Sequence, residues 1–422
     1  MTLARVAVVG AGVSGLTAAH VLAKSRPITL FEADDRLGGH AHTHDVIGAD
    51  GRLLAVDSGF IVHNDRTYPQ LLRLFAELGV RTRPAEMSMS ITCATCGLSY
   101  AGGRGLAGLL AQPWRAANPS FLRLLAEVPR FHRVARRLLE ADGPETTWGD
   151  FLATAGFSAH FVRHFAVPLV SCVWSSGDSD ALAYPARHLF RFLDHHGMLS
   201  VGGSPTWRTV VGGSRTYVER LAGRLPDVRR AAPVAAVVRH HDGVDVMTLD
   251  GDVDTFDQVV VATHADQALA LLADVTTEEK QDLGRITYSV NHTLLHRDAS
   301  LLPSRRAARA SWNQRTTCDG IRDDRDNGVT VSYWMNRLQG VPGTDDLVVT
   351  LNDRGLVDPE KVVAEMTYAH PVFTPTAVAA ASRLRTAGGP RLAFAGAHLG
   401  WGFHEDGCRS GVEAAEALGA TW

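Results

Sequence analysis

Short apolar runs and glycine-rich turns alternate at the beginning of the chain. Residues 6–9 are all apolar, a glycine turn occupies residues 10–15, and an alanine-rich stretch with helical character continues to Lys24. A second apolar run over residues 28–31 ends at Glu32. This pattern predicts a strand, a tight turn, a helix and a second strand, which together form a βαβ unit with a parallel sheet.

The remaining chain alternates between helical and strand-like patterns. Helical apolar spacing is found at residues 68–79, 104–140, 151–174, 184–196, 216–225 and, from Ser410, at the end of the chain. Strand-like runs are found at residues 85–100, 234–238, 244–249, 256–263, 288–296, 329–336, 347–351 and 392–396. Strands and helices mixed in this way predict an α/β fold.

The turn of the first unit carries the chemistry of dinucleotide binding. Its glycines have the spacing Gly-x-Gly-x-x-Gly, at Gly10, Gly12 and Gly15. They allow a sharp turn, close approach of a pyrophosphate to the backbone, and close packing of helix on strand. The helix N-terminus at Val13 and Ser14 is then expected to face the phosphates. Glu32, which follows Gly15 by 17 residues, is expected to accept hydrogen bonds from the adenosine ribose.

A second match to the glycine pattern, over residues 103–108, lacks this context. Pro113 interrupts the helix that would have to follow, and no apolar run ending in an acidic residue comes at the required distance. We therefore expect one dinucleotide site and no second site for a nicotinamide cofactor.

Length and charge narrow the class of protein. A chain of 422 residues can form two domains with their own cores. The formal net charge of −3 gives no electrostatic reason to expect nucleic acid as a partner. The first strand begins about five residues from the start, so no signal peptide is expected. The uncharged run 164–177 is too short to span a bilayer, and we expect a cytoplasmic protein.

The five cysteines show no disulfide-framework spacing, which suits a reducing compartment. Cys93 and Cys96 form a Cys-x-x-Cys pair within a strand-like run. No second pair or nearby pair of histidines completes a metal set, and alternation along a strand would direct the two thiols to opposite faces. The sequence therefore predicts free cysteines and no metal site.

Residues 104–140 combine arginines with large apolar side chains. Such a segment can rest on an anionic membrane surface. The other interpretation, which the sequence favours, is a helix that packs one face on the core and exposes the other to solvent. Peripheral membrane contact is therefore one of two interpretations of this segment.

The residues after Glu32 carry a resemblance to a known family. Arg36, Gly38 and Gly39 form the run Arg-x-Gly-Gly, and the chain ends in an apolar strand, Gly396, a loop and a helix. These features resemble the flavin amine oxidase and phytoene desaturase superfamily. The resemblance implies non-covalent FAD, held in a Rossmann-type domain similar to that of glutathione reductase. It also implies a mixed α+β substrate domain inserted into that domain.

The resemblance divides the chain into segments 1–84, 205–270 and 386–422 for the FAD domain and 85–204 and 271–385 for the substrate domain. It implies that the helix at the C-terminus points at the pyrimidine ring of the flavin. His40 stands where the superfamily more often has arginine. The flavin-binding residues that the resemblance implies beyond the turn are Ala33, Arg36, Gly38, Gly39, His40, Gly59, Phe60, Val234, Ala262, Thr263, Gly396, Phe403, His404, Asp406 and Ser410.

A narrower resemblance covers essentially the full length. Residues 56–60, 333–339, 370–371 and 402–407 resemble bacterial NAD/FAD-binding proteins found beside cyclopropane-fatty-acid synthases. This implies an apolar small-molecule substrate and a neighbouring lipid-modifying enzyme as a partner.

Departures from the amine oxidases lower the expectation of amine chemistry. Those enzymes place a lysine near flavin N5, where this sequence has Asn291 or His292. Among the groups that could act on substrate we single out His404, Tyr333, His292 and Trp401. The resemblance thus implies an FAD-dependent oxidoreductase that takes a hydride from a fatty acyl chain. The alternatives are an amine oxidase, a double-bond isomerase, and a flavin-bound accessory subunit of a lipid methyltransferase.

Overall fold

A computed structural model of the chain describes residues 4–200, 202–318 and 329–422. The strands are β1 (Val6–Val9), β2 (Ile28–Phe31), β3 (Thr43–Ile47), β4 (Leu53–Asp57), β5 (Val62–Asn64), β6 (Thr82–Pro84), β7 (Met89–Cys93), β8 (Ser99–Gly102), β9 (Trp207–Val210), β10 (Val228–Arg229), β11 (Val234–Arg239), β12 (Val244–Thr248), β13 (Val253–Phe256), β14 (Gln258–Val261), β15 (Tyr288–His296), β16 (Trp312–Thr316), β17 (Thr330–Trp334), β18 (Val348–Leu351), β19 (Val362–Pro371) and β20 (Leu392–Phe394).

The helices connect and cover these strands. They are α1 (Val13–Leu22), α2 (Pro69–Leu78), α3 (Gly105–Leu109), α4 (Pro119–Glu140), α5 (Trp148–Thr154), α6 (Ala159–Phe161), α7 (Val167–Trp174), α8 (Asp178–Ala183), α9 (Ala186–His195), α10 (Arg215–Ala222), α11 (Ala265–Leu271), α12 (Thr277–Leu283), α13 (Met335–Leu338), α14 (Pro375–Leu384) and α15 (His404–Ala417). A π-helical turn over Val162–Ala166 joins α6 to α7.

The predicted βαβ unit lies in a five-stranded parallel sheet with the order β10-β2-β1-β14-β20. Both faces of β1 are buried, as is usual for parallel sheets. One face packs on α1, α2 and α15, and the other packs on the β11–β13 sheet, α11 and α14. All five strands lie within segments 1–84, 205–270 and 386–422, and the domain boundaries themselves stay a prediction.

A seven-stranded sheet forms the second large layer, in the order β19-β15-β18-β17-β16-β7-β8. β7 and β16 pair in parallel, and the other neighbours pair antiparallel. The helices between β8 and β9 pack around an aromatic core against this sheet. The core includes Phe131, Trp148 and Phe190, whose side chains are fully buried. The fold is α/β with a mixed second layer, as predicted.

Two predicted helices differ from those in the structure. The pattern over 104–140 resolves into α3, a 3-10 turn at Pro113–Ala117, and α4, which begins after Asn118 caps it. The last helix begins at His404, and the predicted start at Ser410 is wrong. The carboxylate of Asp406 accepts a hydrogen bond from the Phe403 amide at 3.1 Å, which caps the helix almost two turns before Ser410.

Within the described ranges, no helix has both the length and the apolar composition needed to cross a bilayer.

Candidate cofactor and active site

The glycine turn between β1 and α1 has the close packing that its sequence predicts. Gly10 has a φ of +100°, and a side chain there would begin 2.8 Å from the carbonyl oxygen of Ala262. The same position lies 3.3 Å from the methyl group of Thr263. A side chain at Gly15 would begin 1.8 Å from the carbonyl oxygen of Gly10. Only glycine fits at these two positions, so β14 and α1 enclose the turn.

Gly12 is different, because the space beside it is open. No atom of the described chain lies within 4 Å of the place where its Cβ would be. Gly12 is also the N-cap of α1, and in the described chain no side chain caps this helix and no acidic residue occupies its first turn. The amide groups of Val13 and Ser14 therefore begin a helix with an open N-terminus, which fits a pyrophosphate group.

Glu32 follows β2 and faces this turn. Its carboxylate accepts hydrogen bonds from the amides of Ala11 at 2.7 Å and Asp34 at 3.1 Å. The carbonyl oxygen of Glu32 accepts a hydrogen bond from Ala232, two residues before Val234 in β11. The backbone thus fixes the carboxylate beside the nucleotide turn, with Ala33 exposed next to it. This placement suits the predicted contact with the ribose, which stays a prediction.

The Arg-x-Gly-Gly run folds back onto the glycine turn. The guanidinium of Arg36 donates hydrogen bonds to the carbonyl oxygens of Leu37, Gly39 and Ala41. The Gly38 amide donates to Ala11 at 2.9 Å. A Cβ at Gly39 would lie 3.3 Å from the Cα of Gly12. Arg36 therefore holds the loop in shape, and Gly39 of the loop packs against the turn at Gly12.

Phe60 and His404 meet, although 343 residues separate them in the chain. Their rings stack with centroids 3.6 Å apart and an interplanar angle of 4°. The Phe60 amide donates a hydrogen bond to the carbonyl oxygen of His40 at 2.7 Å, and a Cβ at Gly59 would lie 2.2 Å from that oxygen. Both predicted flavin-contacting segments are thus brought to one place beside the loop that ends at His40.

The His404 side chain is committed to packing. Its Nε2 lies 2.6 Å from the hydroxyl of Tyr217. Burial, and to a smaller degree His63, lowers the pKa of His404 to about 3. A group with so low a pKa is a poor general base near neutral pH. The catalytic role of His404 stays a prediction, and the geometry shows that its imidazole positions the first turn of α15.

Two acidic residues open α15, and both are already bonded. Asp406 accepts hydrogen bonds from the Phe403 amide and, at 2.9 Å, from the Arg409 guanidinium. Glu405 accepts from the amides of Gln70 and Leu71, both at 3.0 Å. Burial raises the pKa of Asp406 to about 6 and that of Glu405 to about 7.

The strand that precedes this helix is tied to it by a hydroxyl. Ser410 accepts a hydrogen bond from the Gly396 amide at 2.9 Å. A side chain at Gly396 would begin 2.2 Å from the ring of His398. The end of β20, the His398 ring and the first turns of α15 thus pack as one unit beside α1.

Trp401 and Phe403 lie in an aromatic wall. The Trp401 indole donates to the carbonyl of His188 at 3.2 Å, and its own carbonyl accepts from the Trp174 indole at 2.9 Å. Phe403 stacks on Phe192 with centroids 4.7 Å apart. We call Trp174, Phe192, Trp401 and Phe403 the aromatic wall.

Tyr333 lies next to the aromatic wall. It is buried in β17, packs edge-on against Trp312, and its phenol lies beside Ser175, the residue after Trp174. Burial raises the pKa of its phenol. The structure thus brings Tyr333, Trp401 and Phe403 to the corner at Trp174 and Ser175.

His292 is not part of this group. Strand β15 alternates, so the His292 side chain is 52% exposed and lies 3.7 Å from the carboxylate of Glu365. Its neighbour Asn291 is fully buried. The prediction that His292 lines the substrate side is therefore corrected: the strand presents Asn291 to the interior.

His40 belongs to a buried polar network that the sequence did not predict. Asn291 donates to Nδ1 of His370 at 3.0 Å, and the His370 ring lies 5.4 Å from that of His40. His40 also packs on Tyr368, whose hydroxyl lies 2.6 Å from that of Ser58. Nε2 of His40 is buried and has no hydrogen-bond partner in the described chain. An open polar atom beside the nucleotide loop fits a bound cofactor.

Two further histidines, His264 and His398, lie near this network. His264 stacks on Tyr288, and His398 is buried behind the same tyrosine. Burial lowers the pKa of His370 to about 4 and that of His398 to about 3. The only signals of this network in the sequence were His40, directly after Gly39, and His370, directly before Pro371. Neither histidine reveals that β19 returns to the first domain.

The cysteines are free, as predicted, but two premises of the argument against a metal site are wrong. Cys93 ends β7, but Cys96 lies in the turn that follows, so strand alternation does not separate the two thiols. His164 and Cys318, distant in sequence, complete a group of four with ligand atoms within 4.8 Å of one another. The premise that no residues complete a metal set is therefore wrong.

Together, the fold and the site define a dinucleotide-binding oxidoreductase in which both ends of the chain build one cofactor site. Residues 13–291 match the family described as flavin containing amine oxidoreductase, which is about two thirds of the chain. The chain belongs to this family, and it is an FAD-dependent oxidoreductase.

Solved structures share the fold over nearly the whole chain. Cyclohexylamine oxidase from Brevibacterium oxydans is 17% identical with a TM-score of 0.70, covering 99% of this chain and 98% of that one. A CLA-producing fatty acid isomerase from P. acnes is 17% identical with a TM-score of 0.67, covering 97% of both chains. Putrescine oxidase bound to putrescine is 16% identical with a TM-score of 0.68, covering 98% of both. One fold thus serves neighbours named for different substrates.

Proposed function

We propose that this FAD-dependent oxidoreductase takes a hydride from an apolar substrate, and that the substrate is a fatty acyl chain. When bound, the flavin supplies the hydride acceptor. The observation that carries the proposal is the apolar aromatic wall at the corner where Tyr333 and the start of α15 meet. Side chains of this kind bind an alkyl chain by excluding water.

The acidic residues beside the wall support an uncharged substrate. A carboxylate with a free acceptor facing the substrate would stabilise an ammonium group there. Glu405 is bonded to two backbone amides, and Asp406 to an amide and to Arg409. Their raised pKa values also lower the negative charge they carry near pH 6 to 7.

The interior residue of β15 supports the same conclusion. Asn291 occupies the inward position where the resemblance places the lysine of amine oxidases. All three lysines of the chain lie elsewhere: Lys24 pairs with Glu77, Lys361 pairs with Asp298, and Lys280 lies in α12. The amide of Asn291 instead orients His370 and Asn352.

The chain also has a means to stabilise the reduced cofactor. Reduction places negative charge on the flavin pyrimidine ring. A helix N-terminus directed at that ring would stabilise the charge. In α15 the Phe403 amide is capped by Asp406, while the Tyr217–His404 contact and the Phe60 stack fix the first turn.

The deciding experiment is anaerobic flavin reduction with a panel of fatty acids, phospholipids and amines, together with the mass of each product. We expect an acyl substrate to bleach the flavin and to lose two hydrogens. Bleaching by a primary amine alone would overturn the proposal in favour of amine oxidation, the activity in the family's description.

Two other outcomes also contradict oxidation of an acyl chain. Product of unchanged mass with flavin still oxidised would indicate isomerisation, the activity for which the P. acnes neighbour is named. Turnover that requires a neighbouring lipid methyltransferase would indicate an accessory subunit. Each result separates one alternative from the proposal.

We further propose peripheral contact with a lipid surface through residues 104–140. Large apolar side chains are exposed there, and basic residues of the same segment lie beside them: Leu106, Trp114 and Leu122 are 76%, 56% and 48% exposed. Exposed apolar side chains next to arginines suit an anionic bilayer.

Co-sedimentation with anionic vesicles tests the proposed membrane contact. Leu106→Asp and Leu122→Asp together should reduce binding, whereas Leu249→Asp, also at an exposed position, should not. Equal binding by both variants would contradict it.

A further inference from the structure

Four potential metal ligands meet at one end of the seven-stranded sheet. Cys93 is the last residue of β7, Cys96 lies in the turn before β8, and Cys318 lies two residues after β16. His164 comes from the π-helical turn between α6 and α7. The three sulfur atoms and one imidazole nitrogen all lie within 4.8 Å of one another.

We propose that Cys93, Cys96, Cys318 and His164 bind one structural zinc ion. Tetrahedral zinc with Zn–S bonds of about 2.3 Å and Zn–N bonds of about 2.0 Å places neighbouring ligand atoms about 3.5 to 4 Å apart. Sγ of Cys96 and Nε2 of His164 are 3.4 Å apart. A set of three thiolates and one imidazole is among the ligand sets of structural zinc sites, and soft ligands in this geometry favour zinc.

The turn that carries the first two cysteines is shaped for a shared ligand. The Cys93 amide donates to Leu98 at 2.8 Å, and the Gly97 amide donates back to Cys93 at 3.0 Å. Gly97 has a φ of +68°, which lets the chain reverse directly after Cys96. The side chain of Arg115 donates to the carbonyl of Cys96 at 2.8 Å. The two thiols are therefore held on the same side of a fixed turn.

His164 directs its Nε2 atom at the cysteine sulfur atoms, as a zinc ligand would. Its Nδ1 lies 3.0 Å from the carbonyl oxygen of His160, so Nδ1 carries the proton and donates it there. Nε2 is then left with a lone pair directed at the sulfur atoms. The side chain is also buried, with 2% exposure. Metal-binding histidines are commonly oriented by a hydrogen bond of this kind from the second nitrogen.

A disulfide is a weaker explanation of the same group. A disulfide would use two of the three thiols and would give the third thiol and the imidazole no role. The four-ligand site uses every member of the cluster. It leaves no open coordination position, which is the property of a structural site and not of a catalytic one.

The site would join three parts of the substrate-binding half of the chain. It connects the β7–β8 turn and the end of β16 to the helical segment that continues into α7. The hydroxyl of Tyr100 donates to the His164 carbonyl at 2.7 Å, and Arg163 donates to the carbonyl of Cys318. Helix α7 ends at Trp174, which belongs to the aromatic wall. Zinc would therefore fix the base of a helix whose other end lines the substrate side.

Elemental analysis of the purified, flavin-loaded protein tests the proposal. We expect one equivalent of zinc per chain, retained on gel filtration. Replacement by cobalt should give the intense visible and near-ultraviolet bands of tetrahedral thiolate-bound Co²⁺. A folded, flavin-loaded protein that contains no zinc and gives no such bands with Co²⁺ would overturn the proposal. So would a mass lower by two hydrogens that returns to the full value on reduction, because it indicates a disulfide.

Two single variants separate the site from general effects on folding. Cys96→Ser changes an exposed ligand and should lower the zinc content well below one equivalent while the protein keeps its flavin. Cys172→Ala changes a buried cysteine of α7 outside the cluster and should keep the full equivalent. Equal zinc content in the two variants would contradict the assignment. The readout is metal content, so its failure would leave the proposed reaction untouched.

Discussion

The hydroxyl of Tyr217 lies 2.6 Å from Nε2 of His404, and both rings pack against Phe60. Tyr217 belongs to α10, which follows the return of the chain to the first domain, and His404 begins α15. The contact therefore joins the middle of the chain to the helix that the flavin is expected to face. It also fixes the orientation of the His404 imidazole.

Tyr217→Phe should destabilise the protein without removing the flavin. The change leaves a buried imidazole nitrogen without its partner, at a cost of about 1–3 kcal/mol. Urea unfolding of the flavin-loaded protein measures it. Tyr184→Phe is the matched control: Tyr184 is also buried, but its hydroxyl has no hydrogen-bond partner among the described residues, so its loss should be neutral or stabilising. Equal destabilisation by both variants would show that the contact contributes nothing specific.

Gly12→Ala should leave the chain folded and impair FAD binding. The new methyl group meets no protein atom, but it occupies the open space beside the α1 N-terminus where the pyrophosphate is expected. We expect affinity for FAD to fall at least about tenfold, equivalent to about 1.4 kcal/mol. Fluorescence titration of the apoprotein measures this.

The control for this change is Gly202→Ala, another position with open space and no left-handed backbone. It should bind FAD as the parent protein does. If Gly12→Ala also binds FAD normally, the pyrophosphate does not approach this glycine. Circular dichroism of both variants distinguishes a binding defect from misfolding.

Stability should fall as the pH drops from 7 towards 4. Burial lowers the pKa of His63 to about 4 and that of His398 to about 3, whereas the unfolded chain has values near 6.5. The unfolded chain then takes up protons below pH about 6.5 that the folded chain does not, and each such histidine removes up to about 1.4 kcal/mol per pH unit.

Buried carboxyls act in the opposite direction over part of this range. Burial raises the pKa of Asp57 and Asp406 to about 6, so the folded chain binds their protons before the unfolded chain does. We expect the histidines to dominate because more of them have low pKa values. Melting temperatures between pH 7 and 5 test this. His63→Leu should flatten the slope, and the fully exposed His241→Leu should not. A flat parent profile would contradict the prediction.

Asn291→Ala and His292→Ala should differ, although the residues are adjacent. Asn291 is buried and bonded to His370 and Asn352, so its removal should shift the flavin absorption band and slow flavin reduction about tenfold or more. His292 is exposed, and its removal should change neither. Stopped-flow reduction by the substrate found in the panel measures both. A larger effect of His292→Ala would contradict the prediction, because it would mean that the face of β15 with His292, and not the face with Asn291, is directed at the flavin.

The nucleotide turn could be predicted from sequence because its determinants are local. Gly10, Gly12 and Gly15 act within a few residues of one another, and Glu32 follows directly after the paired strand. The His40–His370 contact and the Cys93–Cys318 contact could not be predicted, because each joins segments that are distant in the chain. The first depends on β19 passing beside the loop of His40, and the second depends on the pairing of β7 with β16. The start of α15 could not be predicted for a smaller reason: the residue that caps the helix, Asp406, lies inside it, and the regular helical pattern begins only at Ser410.

The pairing of β14 with β20 and the packing of α15 on α1 have a consequence for biosynthesis. A Cβ at Gly411 would lie 2.3 Å from the carbonyl oxygen of Ser14, so the last helix closes tightly over the first. β20 and α15 leave the ribosome long after β1 and α1, whereas domains tend to form from the N-terminus onwards during synthesis. The nascent chain therefore carries half a binding pocket until β20 and α15 have been synthesised, and loading with FAD has to follow their emergence.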